Sequence, residues 1–292
     1  MNVFARCQQL PGGTQTPLTF FAFFFLLLGL CVGSFLNVVA WRVPAGRSIV
    51  RPGSACPSCG NPIRWYDNVP VLSFLLLGAR CRQCRSPISP LYPAVELATG
   101  LLFLGAALRA GPGLQAAADA VLASLMVLTV RTDLENWLVL DEASLGGLAA
   151  GLAFALAPGG LSVLQSAGAA AGGFVLFLLI RLASLAVLKA KPGYVLPPPG
   201  HEDEADEFTG GMGWGDVKLA ACIGAFLGPG RTAVAFFVAF VTGAAAGIAM
   251  ILSGRHEKRR PMPFGPFLAL GALVSMFAGN ALLSLYLSAS WP

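Results

Sequence analysis

Long apolar runs recur along this chain, and they constrain its fold more than any other feature. A helix of about 20 apolar residues is long enough to cross the hydrocarbon core of a bilayer. Hydrophobic residues make up 56% of the 292 residues and charged residues only 11%, which is typical of membrane-spanning rather than soluble chains. The sequence therefore predicts an all-α polytopic membrane protein with about eight transmembrane helices.

The predicted helices cover residues 18–41, 92–108, 114–131, 143–158, 161–188, 216–228, 232–253 and 263–288. The segments 143–158 and 216–228 are short for complete spans, so six to eight crossings are expected. The first run is too long for a cleavable signal peptide, and it ends in Trp41-Arg42 rather than in small residues.

The distribution of basic residues predicts the orientation of these helices. Residues 42–90 contain seven arginines and one acid, Asp67, and residues 254–261 contain four basic residues. Because basic loops stay in the cytoplasm, we expect both segments there and both termini on the opposite side. The arginines of 42–90 suit contact with anionic lipid. No basic surface interleaved with aromatic residues is evident, so nucleic-acid binding is not expected.

Two of the predicted cytoplasmic segments are much longer than simple turns between helices. Residues 42–90 are rich in turn-forming residues and predict a small polar domain between the first two helices. Residues 189–212 contain three consecutive prolines and the acidic run 202–207, and predict a loop whose acids are solvated rather than cation ligands. The expected division is 1–41, 42–90 and a transmembrane domain over 91–292.

Four cysteines in the first segment form two CxxC pairs, Cys56 with Cys59 and Cys81 with Cys84, separated by 21 residues. This spacing is close to that of four-thiolate zinc ribbons. A domain of about fifty residues has a small core, so a metal would stabilise it. The alternative is a pair of disulfides, which a reducing cytoplasm disfavours. Neither of the two histidines lies nearby, which disfavours a catalytic thiol.

Acidic residues in or beside apolar runs are the candidates for chemistry, and they are Glu96, Asp119, Asp133, Asp141 and Asp216. Asp133 ends the third predicted helix and Asp216 begins the sixth, on the same predicted side of the membrane. Two carboxylates at one depth on different helices can approach each other, as an aspartyl protease requires. The alternatives are a helix cap for Asp216 and an ordinary interfacial acid for Asp133.

The residues around these acids add further expectations. Gly213 and Gly215 precede Asp216 and would let a substrate backbone come close without a side chain in the way. Asp119, deep in the third helix, is expected to be a polar group that packs within the bundle or pairs helices, and an ion path is the alternative. Asp141 and Glu142 open the fourth helix, where capping is the usual role.

Four blocks in order along the chain carry a resemblance, and they are 33–44, 56–73, 81–96 and 213–219. They resemble the bifunctional type IV prepilin peptidases over nearly the whole chain. The resemblance implies a GxGD-type aspartyl protease of the bacterial inner membrane, with its active sites toward the cytoplasm. It implies removal of the leader of prepilins or pseudopilins, and methylation of the new N-terminal amine with S-adenosylmethionine.

The resemblance also assigns roles to residues. It gives Asp133 and Asp216 as the catalytic pair and leaves Asp141, eight residues after Asp133, as a structural companion. It places methyl transfer with 42–90, where a structural zinc would organise the site. Glu96 is the candidate to meet the substrate amine, and pairing with an arginine is the alternative. No Gly-rich nucleotide signature identifies the residues that bind S-adenosylmethionine.

The chain departs from the family pattern in three places. Leu140 stands where the family has proline, and residues 134–137 are an unusual sequence between Asp133 and Asp141. The predicted loop 190–210 is longer and more acidic than is usual in the family. The alternative functions are a peptidase without methyltransferase activity, a transporter or cation channel, and a zinc-containing assembly factor without catalysis. A transporter should show inverted repeats with broken helices, which are not evident. The oligomeric state is not predicted.

Overall fold

A computed structural model describes residues 15–189, 212–253 and 262–290. The helices are α1 (Gln15–Arg42), α2 (Leu72–Leu76), α3 (Leu91–Ala110), α4 (Leu114–Asn136), α5 (Asp141–Ala155), α6 (Val163–Lys189), α7 (Trp214–Leu252) and α8 (Gly265–Ser290). A 3-10 turn covers Trp65–Asp67, and within these described ranges β structure is limited to two isolated bridges. The acidic run 202–207 and the basic segment 254–261 lie outside the described residues.

Six of these helices, α1, α3, α4, α6, α7 and α8, are long and apolar enough to cross a membrane. The prediction of an all-α polytopic membrane protein is therefore confirmed. Helix α5 has only 15 residues, and the predicted segments 216–228 and 232–253 both lie within α7. Among the residues that the structure describes, six helices are accordingly candidates for full-length spans, the lower end of the expected range.

Helix α7 is interrupted at Gly228, where the backbone has φ 71° and ψ 175° and Pro229 follows. A Cβ built on Gly173 of α6 would lie 2.7 Å from the carbonyl oxygen of Ala220 and 3.2 Å from the ring of Phe236. These two residues would be about 24 Å apart along a straight helix. The chain therefore folds back at Gly228, and α7 has two arms, as the break between the two predicted segments indicated.

The chain forms two compact units. One comprises residues up to Leu36 together with Val50–Ala120. In it, α1 and α3 approach closely at glycines: a Cβ built on Gly29 would lie 2.8 Å from Cβ of Phe103. Small residues at such crossings allow tight packing without a hydrophobic driving force from water. The buried cluster contains Ala22, Phe25, Phe103, Ala107, Ala116 and Ala120.

The second unit comprises Asn37–Ile49 and the chain from Val121 onward. Helix α7 packs against α5, α6 and α8, and close contacts fall at small residues such as Gly224 against Ala169. Between Asp216 and Gly228 the first arm is buried at every position except Lys218. A helix that is covered by neighbouring helices need not match the bilayer thickness. This explains how the segment 216–228 can be shorter than a complete membrane span.

Candidate active site

Asp133 lies in the last turn of α4 and is 6% exposed. Its Oδ2 accepts a hydrogen bond of 2.9 Å from the backbone N–H of Gly265, the first residue of α8. The first N–H groups of a helix have no partner within the helix and favour an anion. A Cβ built on Gly265 would lie 2.6 Å from this oxygen, so only glycine fits here without displacing the carboxylate.

Asp216 lies in the first turn of α7, three residues after the N-cap residue Gly213, and is 8% exposed. Its carboxylate accepts a hydrogen bond from the backbone N–H of Gly213. An acid at this position commonly reaches back to the N-cap in this way. Asp216 also interacts electrostatically with Asp133. The structure thus brings together the two acids that the sequence singled out, from different helices of one unit.

The two glycines before Asp216 have different surroundings. A Cβ built on Gly215 would lie 2.7 Å from Cβ of Val139, so the protein itself fills the space that this glycine leaves. Gly213 is exposed, and a Cβ there would meet no atom nearer than 3.8 Å. Approach of a substrate backbone stays a prediction, and the free space for it lies at Gly213.

Asp141, the first residue of α5, pairs with Lys218 of α7 at 2.6 and 2.7 Å. The pair joins the start of α5 to the turn that carries Asp216. Leu140, the N-cap residue, has φ −63° and ψ 127°. Since proline would hold φ at about −65°, the leucine keeps the backbone that the family proline would impose.

Arg181 was missed by the sequence reasoning. It lies in α6, is 9% exposed, and donates a hydrogen bond to the carbonyl oxygen of Met212. Its guanidinium lies 4.9 Å from the ring centroid of Trp214 and interacts electrostatically with Asp216. The signal was available, because Arg181 is the one charged residue within the apolar run between 161 and 187, and such residues are usually functional.

The four predicted metal ligands come together in the first unit. The Sγ atoms of Cys56, Cys59, Cys81 and Cys84 all lie within 4.8 Å of one another, and all four cysteines are free thiols. Cys56 Sγ and Cys84 Sγ are 3.8 Å apart. Four sulfurs placed tetrahedrally at about 2.3 Å from a zinc ion would be about 3.8 Å apart. The cluster therefore fits a tetrahedral metal ion, and the disulfide alternative is not what the structure shows.

The local backbone explains how the cluster is built. Each CxxC pair lies in a tight turn closed by an isolated antiparallel bridge, Ala55 to Pro62 in the first and Arg80 to Pro87 in the second. Hydrogen bonds from the backbone N–H groups of Cys59 and Ser58 and from the side chain of Ser86 lower the pKa of Cys56 to about 6. This favours the thiolate, which is the form that binds metal.

Ser86 acts on the second pair as well. Its side chain is hydrogen-bonded to Cys84, with a separation of 3.1 Å between Oγ and Sγ, and this bond lowers the pKa of Cys84. One serine therefore favours the thiolate of a cysteine in each pair. The spacing of the cysteines alone did not reveal this contribution.

Glu96 and Asp119 lie in the same unit as the cysteines. Glu96, 8% exposed in α3, accepts a hydrogen bond of 2.7 Å from the backbone N–H of Val71 and is hydrogen-bonded to the side chain of Ser34. Its role toward a substrate amine stays a prediction. Asp119 of α4 pairs with Arg109 of α3 and accepts a hydrogen bond of 2.9 Å from Gln115, so it links two helices.

Two family descriptions match the chain in succession. The Bacterial Peptidase A24 N-terminal domain matches residues 27–110, and the Type IV leader peptidase family matches residues 120–248. The first match contains the four cysteines and Glu96, and the second contains Asp133 and Asp216. No solved structure matches the chain.

Curated relatives cover most of the chain. A Myxococcus xanthus (strain DK1622) protein is 40% identical over 82% of this chain, which spans 66% of that protein. A Burkholderia pseudomallei (strain 1026b) protein is 36% identical over 94% of this chain and 89% of its own length. A Bacillus subtilis (strain 168) protein is 34% identical over 89% of this chain and 96% of its own length. All three are named prepilin leader peptidase/N-methyltransferase, and this chain belongs to the type IV leader peptidase family.

Proposed function

We propose that this protein is a membrane-embedded aspartyl peptidase that removes the leader of type IV prepilins or pseudopilins. The observation that carries the proposal is the electrostatic interaction between two buried carboxylates, Asp133 at the end of α4 and Asp216 at the start of α7. Buried acids on membrane helices are costly and usually functional. The names of the relatives support the substrate class.

The chemistry follows from having two acids in one site. Repulsion between two ionised carboxylates favours the state in which one of them holds a proton. The ionised carboxylate then takes a proton from water, whose oxygen attacks the scissile carbonyl, while the protonated carboxyl donates to the carbonyl oxygen. Collapse of the tetrahedral intermediate breaks the C–N bond, and the amine leaves with a proton. Because Oδ2 of Asp133 is bound by Gly265, we assign Oδ1 to the reacting groups.

We place the protein in the bacterial inner membrane with its active sites toward the cytoplasm. The support is the arginine-rich segment 42–90, which the positive-inside rule assigns to the cytoplasmic side. Membrane lipid is then a partner, with anionic headgroups beside these arginines. In this orientation the end of α4 and the start of α7 both lie near the cytoplasmic surface, where a prepilin leader meets its apolar stem.

The second part of the relatives' name, N-methyltransferase, supports methylation of the new N-terminal amine, with S-adenosylmethionine as the methyl-donor substrate. We assign this reaction to the segment 42–90, between the first helix in 1–41 and the peptidase domain in 91–292. Glu96, at the edge of that segment, stays the candidate to meet the amine. A peptidase without methyltransferase activity is the alternative, and transfer of a labelled methyl group to mature pilin distinguishes the two.

The metal of the cysteine cluster is proposed to be zinc, held by Cys56, Cys59, Cys81 and Cys84 as a structural ion. Replacing Cys56 by serine should remove the bound zinc, since three thiolates and a hydroxyl bind far more weakly than four thiolates. Metal analysis of the purified protein measures this. Cys31→Ser, at an exposed position of α1, is the control and should keep one zinc per chain. Full zinc content in Cys56→Ser would exclude the site.

Arg181 is a positioning residue in this proposal, because it holds the Met212 carbonyl and the Trp214 ring that flank Asp216. A hydrogen bond to a charged group contributes about 1.5–3 kcal/mol. We therefore expect Arg181→Met to lower kcat/KM for leader cleavage by about 10- to 100-fold. Arg181→Lys keeps the charge and should recover part of the loss, while Arg109→Met, which breaks the ion pair with the buried Asp119, measures the effect of destabilisation alone. Equal losses in the two methionine variants would contradict the positioning role.

The function is tested by incubating the purified protein in lipid with a prepilin from the same genome and labelled S-adenosylmethionine. We expect loss of the leader and transfer of the label to the mature N terminus. Cleavage without label would support the alternative of a peptidase alone. Intact prepilin under conditions where a prepilin peptidase of known activity cleaves it would favour the noncatalytic or transport functions.

A further inference from the structure

The short helix α2 exposes apolar side chains that the sequence placed in a polar domain. Leu72, Leu75 and Leu76 are 51%, 67% and 76% exposed, although they occupy most of a five-residue helix. Soluble domains rarely leave three neighbouring leucines in water, and such a patch marks a surface that something covers. The contacts of the residues just before α2 indicate what covers it.

The start of α2 is held beside two membrane-spanning helices. The backbone N–H of Val71 donates to Glu96 Oε2 at 2.7 Å, and Ser34 of α1 is hydrogen-bonded to the same carboxylate. Glu96 is the sixth residue of α3, about 7.5 Å along the axis from its first residue. With 20 residues, α3 is about 30 Å long, so its whole length is needed to cross the hydrocarbon core. Val71 therefore lies at the depth of the lipid interface rather than above it.

The backbone at Val71 has an unusual conformation. Val71 has φ 62° and ψ −49°, and the N–H of Leu72 donates to the carbonyl oxygen of Pro70 at 2.6 Å. This is a γ-turn of the rare type, which is strained for a β-branched residue. Such a conformation persists only where surrounding contacts hold it, and the Glu96 carboxylate supplies one. The hydrogen bond from Val71 to Glu96 thus fixes the position of α2 beside α3.

The chemistry of the surroundings matches a lipid surface. The segment that contains α2 carries exposed arginines at positions 51, 64, 80, 82 and 85, with the single acid Asp67 already paired with Arg82. Helix α3, which carries Glu96, also exposes Leu97 and Leu101. Apolar side chains at the acyl boundary with basic residues at the headgroups are typical of interfacial membrane anchors.

We propose that α2 is a membrane-interface anchor, in which Leu72, Leu75 and Leu76 insert into the acyl-chain boundary beside the first turns of α3. The segment between the first two spans is then not a free polar domain, because it is tied to the membrane surface through Glu96 and covered there by lipid. The occupant is phospholipid with anionic headgroups in the leaflet where α3 begins.

The test measures the depth of α2 directly in the full-length protein. Single copies are reconstituted in nanodiscs of phosphatidylcholine and phosphatidylglycerol, with an environment-sensitive fluorescent amino acid at Leu76 or, as a second position, Leu75. The matched control carries the same probe at Gln83, an exposed residue between Cys81 and Cys84. Metal content and tryptic stability of each labelled protein show that the fold is kept.

Lipids with a nitroxide near the top of the acyl chain should quench the probe at Leu76 or Leu75 several-fold more strongly than the probe at Gln83. Aqueous iodide should show the opposite order. Equal quenching of the two sites by lipid nitroxide, or free access of iodide to Leu76, would overturn the proposal. Protection of both leucine probes from iodide and from lipid nitroxide would also overturn it, since protein would then cover α2.

Discussion

Asparagine in place of Asp133 or Asp216 should each lower the rate of prepilin leader cleavage by about 10²- to 10⁴-fold, the range that one general acid or base contributes. Asparagine has nearly the shape of aspartate but cannot exchange a proton with water or with the scissile carbonyl. Either substitution therefore removes one half of the acid–base pair, and the double variant should lose little more than each single one. Single-turnover cleavage of a prepilin, followed by the mobility of the mature product, measures the loss.

Glu142→Gln is the matched control for these variants. Glu142 is an exposed acid in the first turn of α5, next to Asp141. Replacing it by glutamine makes the same change of charge outside the carboxylate pair. This variant should cleave at the wild-type rate. If Asp133→Asn and Asp216→Asn also cleave at that rate, the assignment of the pair is wrong. Mature pilin supplied directly should still be methylated by both asparagine variants, because methyl transfer is assigned to other residues.

The sequence was sufficient to predict the long helices and to single out two acids that the structure brings into one unit. Apolar runs of membrane length are a strong signal, and an acid that interrupts one is conspicuous because burial of its charge is costly. The break in the apolar pattern before residue 232 corresponds to a real reversal at Gly228. The spacing of the four cysteines likewise predicted the cluster that the structure forms.

Other features depend on tertiary contacts that no local pattern reveals. Gly265 matters because its backbone meets Asp133, a residue 132 positions away in the chain. Arg181 was visible as a lone charge in an apolar run, but its partner Met212 lies 31 positions further along the chain. The apolar run at 69–77 is far shorter than a membrane span, so it was interpreted as part of a polar domain. Only the bond between Val71 and Glu96 places it beside the spans.

The two groups of candidate residues belong to different units of the chain. Asp133, Asp216 and Gly265 lie in the second unit, whereas the four cysteines and Glu96 lie in the first. The two family matches, 27–110 and 120–248, likewise separate the cysteines and Glu96 from Asp133 and Asp216. Substitutions in one group should therefore impair one reaction and largely spare the other, which makes peptidase and methyltransferase activities separable by mutation.

Gly265→Ala should lower the rate of leader cleavage by about 10²-fold while the protein still folds. The added Cβ would lie 2.6 Å from Asp133 Oδ2 and 3.1 Å from Cγ2 of Thr129, so the carboxylate has to move. A displacement of about 1 Å at a reacting group is enough for a loss of this size. The loss should appear mainly in kcat, because the glycine touches the catalytic acid and not the substrate in this proposal.

Gly146→Ala is the matched control, since it makes the same change in a helix of the same unit. A Cβ built on Gly146 meets nothing within 4 Å, and alanine favours a helix over glycine by about 1 kcal/mol. This variant should cleave at the wild-type rate and be at least as stable. If Gly265→Ala cleaves as fast as Gly146→Ala, the hydrogen bond from α8 does not position Asp133. If instead Gly265→Ala loses its thermal transition, the loss of activity reports folding, and a variant enlarged at Thr129 then tests the position of the carboxylate from its other side.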